Sequence, residues 1–279
     1  MIEKELSDYL LAKGCCAAVK AGKAIMDIYN SDVSLTINMK SNNTLVTQAD
    51  KLSHEIIKKE LGKTRIPLLS EEGRNMLFEE RYGWDLYWLV DPLDGTREFI
   101  KKNGEFVVCV ALMYQNRPCQ GVIYVPVQQR LYFSTPDRQV YCIDDVSVLP
   151  REEVSLEELL VAARLIRRRH KRKDEEVVVT VTRSHLTQET RLMVDNLKAK
   201  YGNVRVIQCG SSLKFCYLAE GEADIYLRTT PLFDWDIAAG HAIIESLGYK
   251  IRHLSGAPLA YNKSELVIDP FIAGDEQFI

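Results

Sequence analysis

The chain has 279 residues and carries 36 Lys and Arg against 39 Asp and Glu, which gives a formal net charge of −3. With 46% hydrophobic and 27% charged residues, it has the composition of a globular protein with a large core, which excludes a disordered or fibrous chain. The slightly acidic balance also argues against a dedicated nucleic-acid binder, which should be basic.

The N-terminal residues are charged, and no apolar run approaches the roughly 20 residues needed to cross a bilayer. We therefore expect a cytoplasmic protein, with peripheral contact to the inner membrane face left open. The seven cysteines are odd in number and lack a paired Cys-x-x-Cys motif, so we expect buried, reduced thiols. The sequence leaves the oligomeric state open.

Apolar residues at helical spacing predict one or two helices over residues 4–30 and another over 50–61, ended by Gly62. Alternating residues predict a strand at 33–39. A meander with a turn at Arg117 and Pro118 is then predicted, with strands at 86–91, 106–114, 121–127 and 131–135. Further helices are predicted at 155–165, 187–200, 211–220 and 236–247. They alternate with strands predicted at 177–181, 204–208, 223–227 and 248–252.

The two halves of the chain therefore differ in pattern. We predict a first domain at residues 1–160, with a helix pair and a mostly antiparallel sheet, and a second α/β domain at residues 161–279. A basic run at 167–173 suggests a nucleic-acid or membrane surface. Acidic residues follow it at once at 174–176, so a solvated loop or helix end is the expectation.

Residues 91–96 read Asp-Pro-Leu-Asp-Gly-Thr and form the most informative segment. The apolar run before them predicts a strand that delivers Asp91 into a turn carrying Asp94. Two carboxylates this close repel unless a cation lies between them. Gly95 lets backbone approach a ligand, and a helix starting at Thr96 would offer free N–H groups to an anion. Metal ligands beside an anion site indicate metal-assisted phosphoryl chemistry.

This segment resembles the signature of the lithium-sensitive, magnesium-dependent phosphatases, which include inositol monophosphatases, fructose-1,6-bisphosphatases and 3′(2′),5′-bisphosphate nucleotidases. The acidic pair at 71–72 and the Trp-Asp-x-Ala-Ala-Gly motif at 235–240 resemble the partner motifs. The resemblance implies a mixed α and β fold, a layered αβαβα sandwich. It also implies metal ligation by Glu71, Asp91, Asp94, Asp236 and the carbonyl of Leu93. These oxygen donors favour Mg²⁺; the family resemblance implies two or three ions and inhibition by Li⁺.

Val-Thr-x-Ala-Asp at 46–50 resembles a further family motif. That resemblance implies a hydrogen bond between Asp50 and Thr96, and implies that Thr96 and Glu71 orient the attacking water. The preceding loop departs from the family pattern, because Asn42 and Asn43 stand where relatives often carry Asp. This departure puts the third metal and the usual lithium sensitivity in doubt.

Arg-Glu-Phe-Ile at 97–100 and Asn-Gly-Glu-Phe at 103–106 resemble the 3′(2′),5′-bisphosphate nucleotidases of the bacterial CysQ type, as do residues 182–185 and 210–215. The resemblance implies hydrolysis of 3′-phosphoadenosine 5′-phosphate to AMP and phosphate. The phosphate that is not cleaved needs cations, for which the candidates are Lys214 and Arg228. Candidates for the ribose and base are Ser184, His185, Ser211 and Ser212. The expected substrate contacts also include Glu71, Leu93, Asp94, Gly95, Thr96 and Asp236.

Two alternatives stay open. One is a phosphatase for inositol 1-phosphate or fructose 1,6-bisphosphate. The other is a non-catalytic regulator that binds nucleotide or RNA through the basic run. The second would predict a damaged acidic cluster, whereas all four carboxylates and Thr96 are present. We therefore expect an enzyme with a small phosphorylated nucleotide substrate and without a stable nucleic-acid complex.

Overall fold

The structure is a computed structural model that describes residues 2–31, 38–39, 45–46, 48–149, 153–170, 175–183 and 186–279. Its helices are α1 Lys4–Asn30, α2 Gln48–Gly62, α3 Phe78–Arg81, α4 Thr96–Ile100, α5 Leu156–Ala162, α6 Gln188–Tyr201, α7 Leu213–Glu220 and α8 Asp234–Ser246. The strands up to the middle of the chain are β1 Asn38–Met39, β2 Leu45–Val46, β3 Leu68–Ser70, β4 Leu86–Asp94, β5 Val107–Tyr114, β6 Arg117–Val125, β7 Arg130–Ser134, β8 Val140–Ile143 and β9 Arg164–Ile166. The later strands are β10 Val177–Thr182, β11 Val204–Cys209, β12 Ile225–Arg228, β13 Leu232–Phe233, β14 Lys250–His253, β15 Val267–Ile268 and β16 Phe271–Gly274.

The first large sheet confirms the predicted meander. It has seven strands in the order β3-β4-β5-β6-β7-β8-β9, of which only the β3–β4 pair is parallel. The predicted turn at Arg117 and Pro118 is wrong, because both residues lie in β6. The chain reverses at Gln115 and Asn116, which adopt left-handed φ values of 50° and 57°. Asn tolerates this conformation and favours tight hairpin turns.

The second large sheet has five strands in the order β11-β10-β12-β16-β14. Strand β10 is parallel to β11 and β12, with α6 and α7 in the connections, as the alternating pattern predicts. Strand β16 lies antiparallel between β12 and β14. The C-terminal strand was not predicted, since its four residues are too short to show a period.

The helices and sheets form five layers, which confirms the predicted αβαβα sandwich. Helices α1 and α2 pack with α5 on one face of the seven-stranded sheet. Helices α7 and α8 share the central core with residues from both sheets, and α6 covers the outer face of the five-stranded sheet. The small residues of the second motif allow this close packing. A Cβ built at Gly240 would lie 2.1 Å from Cδ2 of Phe215.

The chain passes from the first sheet to the second between Ile166 and Val177. The basic run lies in this connection, and two of its arginines bind backbone of the second half. Arg168 donates to the Gly248 carbonyl at 2.9 Å and pairs with an acidic side chain near the C-terminus, while Arg169 donates to the Gly221 carbonyl at 3.2 Å. These contacts attach the connection to the second half of the chain. Residues 171–174 lie outside the described part. The domain division at residues 160 and 161 stays a prediction.

All seven cysteines are free thiols, and six of them are buried, as expected. Cys15 and Cys16 lie on α1. Within the described ranges, no helix is both long and apolar enough to cross a membrane.

Candidate active site

The motif at 91–96 lies at the end of β4, where the ladder to β5 is interrupted. Asp91 pairs with Cys109 and Asp94 pairs with Val107, so the register shifts between the two carboxylates. Pro92 lies between these two residues, and because proline cannot donate to a ladder it accounts for the interruption. The Asp91 carboxylate accepts the Leu93 amide at 3.0 Å, which fixes its orientation within the bulge.

Three predicted metal ligands come together here from separate parts of the chain. One carboxylate oxygen from each of Glu71, Asp91 and Asp236 lies within 4.8 Å of the other two. The parallel pairing of β3 with β4 brings Glu71 beside Asp91, since the Glu71 amide donates to the Val90 carbonyl at 3.1 Å. Asp236 lies in the first turn of α8, where its carboxylate accepts the Phe233 amide at 2.9 Å.

Asp94 stands outside that group of three, and its carboxylate accepts the backbone amide of Ser212. Its charge nevertheless acts on the cluster. Burial raises the pKa of Asp91 well above the ordinary value, with the charges of Glu71 and Asp94 adding to the shift. The pKa of Asp236 is also well raised, by burial and then by Asp94 and Glu71. Carboxylates that repel one another in this way are a site for a cation.

The donor set fits Mg²⁺. Every predicted ligand is a hard oxygen, with a carboxylate spacing suited to shared coordination. The Leu93 carbonyl lies in the same turn, where the Thr96 hydroxyl donates to it at 3.3 Å. The identity of the ligands stays a prediction, and the crowded buried carboxylates are what favour it.

Thr96 contacts the predicted partner. Its hydroxyl lies 3.4 Å from Oδ1 of Asp50, which is buried in the first turn of α2. Thr96 also begins α4 after Gly95, whose φ of 100° lies in the left-handed region that favours glycine. Ser53 donates to the Pro92 carbonyl at 2.7 Å, so α2 is bound directly to the turn at residues 91–96, which we call the metal-motif turn.

The predicted substrate residues of the second half lie on the other side of this turn. The Ser212 hydroxyl donates to the Asp236 carbonyl, and Ser211 adopts a left-handed φ of 46°. The buried Lys214 ammonium donates to the carbonyls of Cys209, at 3.1 Å, and Ser211. Ser184 and His185, like residues 40–44 with Asn42 and Asn43, lie outside the described residues.

Arg228 ends β12 close to the carboxylate cluster. Its side chain is buried, and Nε donates to the Thr230 carbonyl at 2.9 Å. Its positive charge lowers the pKa of Asp236, although burial dominates the overall rise. It also opposes the charge of Lys214, whose pKa is lowered mainly by burial. Two buried cations therefore lie near the carboxylates.

No motif in the sequence assigns a role to Glu105 and Arg183, which form an ion pair beside this site. Arg183 donates to both carboxylate oxygens, at 2.8 and 2.6 Å, and Glu105 also accepts the Gly210 amide at 2.7 Å. Both residues lie in segments whose likeness to nucleotidases was visible in the sequence. The contact between them joins positions 78 residues apart, which no local pattern indicates.

Comparison with known proteins places the whole chain in one family. The family model described as the inositol monophosphatase family matches residues 7–277. The 3′(2′),5′-bisphosphate nucleotidase CysQ of Shigella flexneri is 36% identical over 263 residues, which cover 94% of this chain and 97% of that protein.

Solved structures agree with this match. The crystal structure of CysQ from Bacteroides thetaiotaomicron, described as a bacterial member of the inositol monophosphatase family, is 41% identical with a TM-score of 0.85, over 95% of this chain and 97% of that one. The extragenic suppressor protein suhB from Bartonella henselae is 25% identical with a TM-score of 0.74, over 96% of this chain and 94% of that one. The chain belongs to the inositol monophosphatase family.

Proposed function

We propose that the protein is a Mg²⁺-dependent 3′(2′),5′-bisphosphate nucleotidase that hydrolyses 3′-phosphoadenosine 5′-phosphate to AMP and phosphate. The observation that carries this proposal is the group of Glu71, Asp91 and Asp236 within 4.8 Å, with the Thr96–Asp50 pair beside it at 3.4 Å. The similarity to CysQ proteins of two bacteria supports the choice of substrate.

In this proposal Glu71, Asp91, Asp94, Asp236 and the Leu93 carbonyl hold the metal. When bound, Mg²⁺ supplies neutralisation of the phosphate oxygens and makes a water more acidic. Two or three ions and inhibition by Li⁺ are part of the proposal. The ion count depends on residues 42 and 43, which lie outside the described part.

The chain's own residues orient the water that attacks phosphorus. The Thr96 hydroxyl donates to Asp50 or to the Leu93 carbonyl, at 3.4 and 3.3 Å, which leaves its oxygen free to accept a hydrogen bond from the water. Glu71 orients the water from the other side. In-line attack forms the new P–O bond as the bond to the ribose 3′-oxygen breaks. The attacking water releases a proton to solvent, and the leaving 3′-oxygen takes one proton from solvent.

The second phosphate needs positive charge. Arg228 and Lys214 are the proposed groups, because both are buried cations close to the carboxylates. The Lys214 ammonium already donates to two backbone carbonyls, which equally suits a role in supporting its loop. Lys214→Met distinguishes that role from binding of the phosphate. Ser184, His185, Ser211 and Ser212 stay candidates for the ribose and base, with Gly95 allowing close approach of the cleaved phosphate.

A substrate panel tests the proposal. We expect Mg²⁺-dependent phosphate release with the highest kcat/KM for 3′-phosphoadenosine 5′-phosphate, compared with 3′-AMP, inositol 1-phosphate and fructose 1,6-bisphosphate. A preference for inositol 1-phosphate would favour the family alternative. Absence of metal-dependent release from every substrate would favour a binding regulator. The expected cytoplasmic location is a separate prediction.

A further inference from the structure

A loop of the second half reaches across to the metal-site carboxylates of the first. The Ser212 amide donates to the Asp94 carboxylate, and the Ser212 hydroxyl donates to the Asp236 carbonyl. We call residues 209–212 the bridging loop. Because one residue of this loop contacts both predicted ligands, the position of the loop influences the orientation of both.

Glu105 holds the bridging loop from the first half. Its carboxylate accepts the Gly210 amide at 2.7 Å, while Arg183 approaches the same carboxylate with Nε at 2.8 Å and Nη2 at 2.6 Å. Arg183 also donates to the Gln208 carbonyl at 2.7 Å. A charge-assisted bidentate pair has a defined geometry, so the backbone on both sides of Cys209 is bound to one ion pair.

Packing leaves this loop little room to shift. A Cβ built at Gly95 would lie 2.8 Å from the Glu105 carbonyl oxygen and 3.1 Å from Cβ of Ser211. A Cβ built at Gly210 would lie 2.5 Å from Cγ of Glu98. The metal-motif turn, the Glu105 segment and the bridging loop are thus in direct contact, and a displacement of one is transmitted to the others.

We propose that Glu105 and Arg183 are positioning residues that assemble the metal site across the two halves of the chain. They act through the bridging loop, by holding Ser212 against Asp94 and the first turn of α8. This inference rests on the proposed Mg²⁺ site. Outer contacts of this kind commonly change metal affinity or activity by about 10- to 100-fold when they are removed.

The test measures the Mg²⁺ Kd of the metal-free full chain by isothermal titration calorimetry. The wild type is compared with Glu105→Ala and Arg183→Met. We expect a rise in Kd of about tenfold for Glu105→Ala, at the lower limit for outer contacts. A smaller rise is expected for Arg183→Met, since the bond to Gly210 remains. The kcat/KM should fall by the same factor for 3′-phosphoadenosine 5′-phosphate and for 3′-AMP.

Glu220→Ala is the matched control. Glu220, at the end of α7, pairs with Arg164 in β9 of the first sheet, so its removal also breaks an ion pair between a helix of the central layer and that sheet. We expect the control to lower Tm without changing the Mg²⁺ Kd. Wild-type Kd in Glu105→Ala would overturn the inference, as would a loss confined to the bisphosphate, which would make the pair a substrate contact.

If Glu105→Ala does not fold, Glu105→Gln provides a second test. Its amide oxygen can still accept from Gly210, but the charge that pairs with Arg183 is lost. We therefore expect an Mg²⁺ Kd near the wild-type value, and a smaller effect of Arg183→Met in the Glu105→Gln protein than in the wild type. A Glu105→Gln protein with wild-type Kd and an undiminished Arg183→Met effect would overturn the inference. Wild-type protein that binds no Mg²⁺ would instead remove the proposed function itself.

Discussion

Arg228→Met tests whether the protein binds a second phosphate. The substitution removes the charge and keeps a long side chain in a buried position at the end of β12. In the wild-type protein, the bond from Nε to the Thr230 carbonyl at 2.9 Å orients the guanidinium. The two Nη atoms are the part that a phosphate would contact. Arginine is suited to this contact because its planar fork can donate two parallel bonds.

A hydrogen bond between charged groups contributes about 1.5–3 kcal/mol. Each 1.4 kcal/mol corresponds to a factor of about ten in binding. We therefore expect the KM for 3′-phosphoadenosine 5′-phosphate to rise about ten- to hundredfold. The KM for 3′-AMP, which lacks the second phosphate, should change much less. Arg228→Lys should give an intermediate KM, because it keeps the charge and loses the fork.

The assay is phosphate release at saturating Mg²⁺, with Lys214→Met measured in parallel. Equal losses on both substrates would refute the phosphate contact for either residue. For Lys214 that result would assign its ammonium to the carbonyls of Cys209 and Ser211, which it already binds. For Arg228 that result would leave electrostatic shielding of Asp236 as its role. The inositol phosphatase alternative would then regain support.

Three further predictions concern the metal, lithium and acid. Asp91→Asn should lower turnover at least about hundredfold, as for loss of a preorganised electrostatic group. The Tm without metal should hold or rise because a buried repulsive charge is removed; near-wild-type turnover at saturating Mg²⁺ would contradict this. Restoring Asp at Asn42 and Asn43 should shift the Mg²⁺ and Li⁺ titration curves, and unchanged curves would exclude that loop from metal binding. Burial lowers the pKa of His241 to about 3, so its contribution to stability is present above about pH 6.5 and is lost as the pH falls towards 3. Between pH 6.5 and 5, the free energy of unfolding measured in urea should therefore fall by about 1–2 kcal/mol more in the wild type than in His241→Gln. Equal decreases in the two proteins would contradict the lowered pKa of His241.

Much of the fold follows from local pattern. The 27-residue helix α1 has a long apolar stripe, and the alternation of strands and helices in the second half is regular. Predictions were less accurate where single residues decide the outcome. The hairpin turn at 115–116 depends on left-handed φ values, and Pro118 suggested a turn although it lies in a strand beside an irregular register.

The carboxylate cluster follows from sequence more readily than the surroundings of the proposed substrate residues, and the reason is physical. Asp91 and Asp94 are presented by one strand end, so a short motif fixes their neighbourhood. Asp236 opens a helix whose small residues pack closely against neighbouring elements. Lys214, by contrast, has a pattern typical of a surface cation near an anion site. Its side chain is buried against the Tyr226 ring, with the ammonium 5.3 Å from the ring centroid.

The same distinction explains why Glu105 and Arg183 were not predicted. Each residue alone reads as a surface charge, because its partner lies in the other half and only the assembled sheets bring them together. A site built from two halves requires such contacts, since Asp94 and Asp236 must be held in register although no strand joins them. Ser212 contacts both proposed ligands, through the Asp94 carboxylate and the Asp236 carbonyl, and the ion pair holds the loop that carries Ser212. The chemistry of this site is therefore readable in short motifs, whereas the alignment of its two halves depends on long-range contacts that only the folded chain shows.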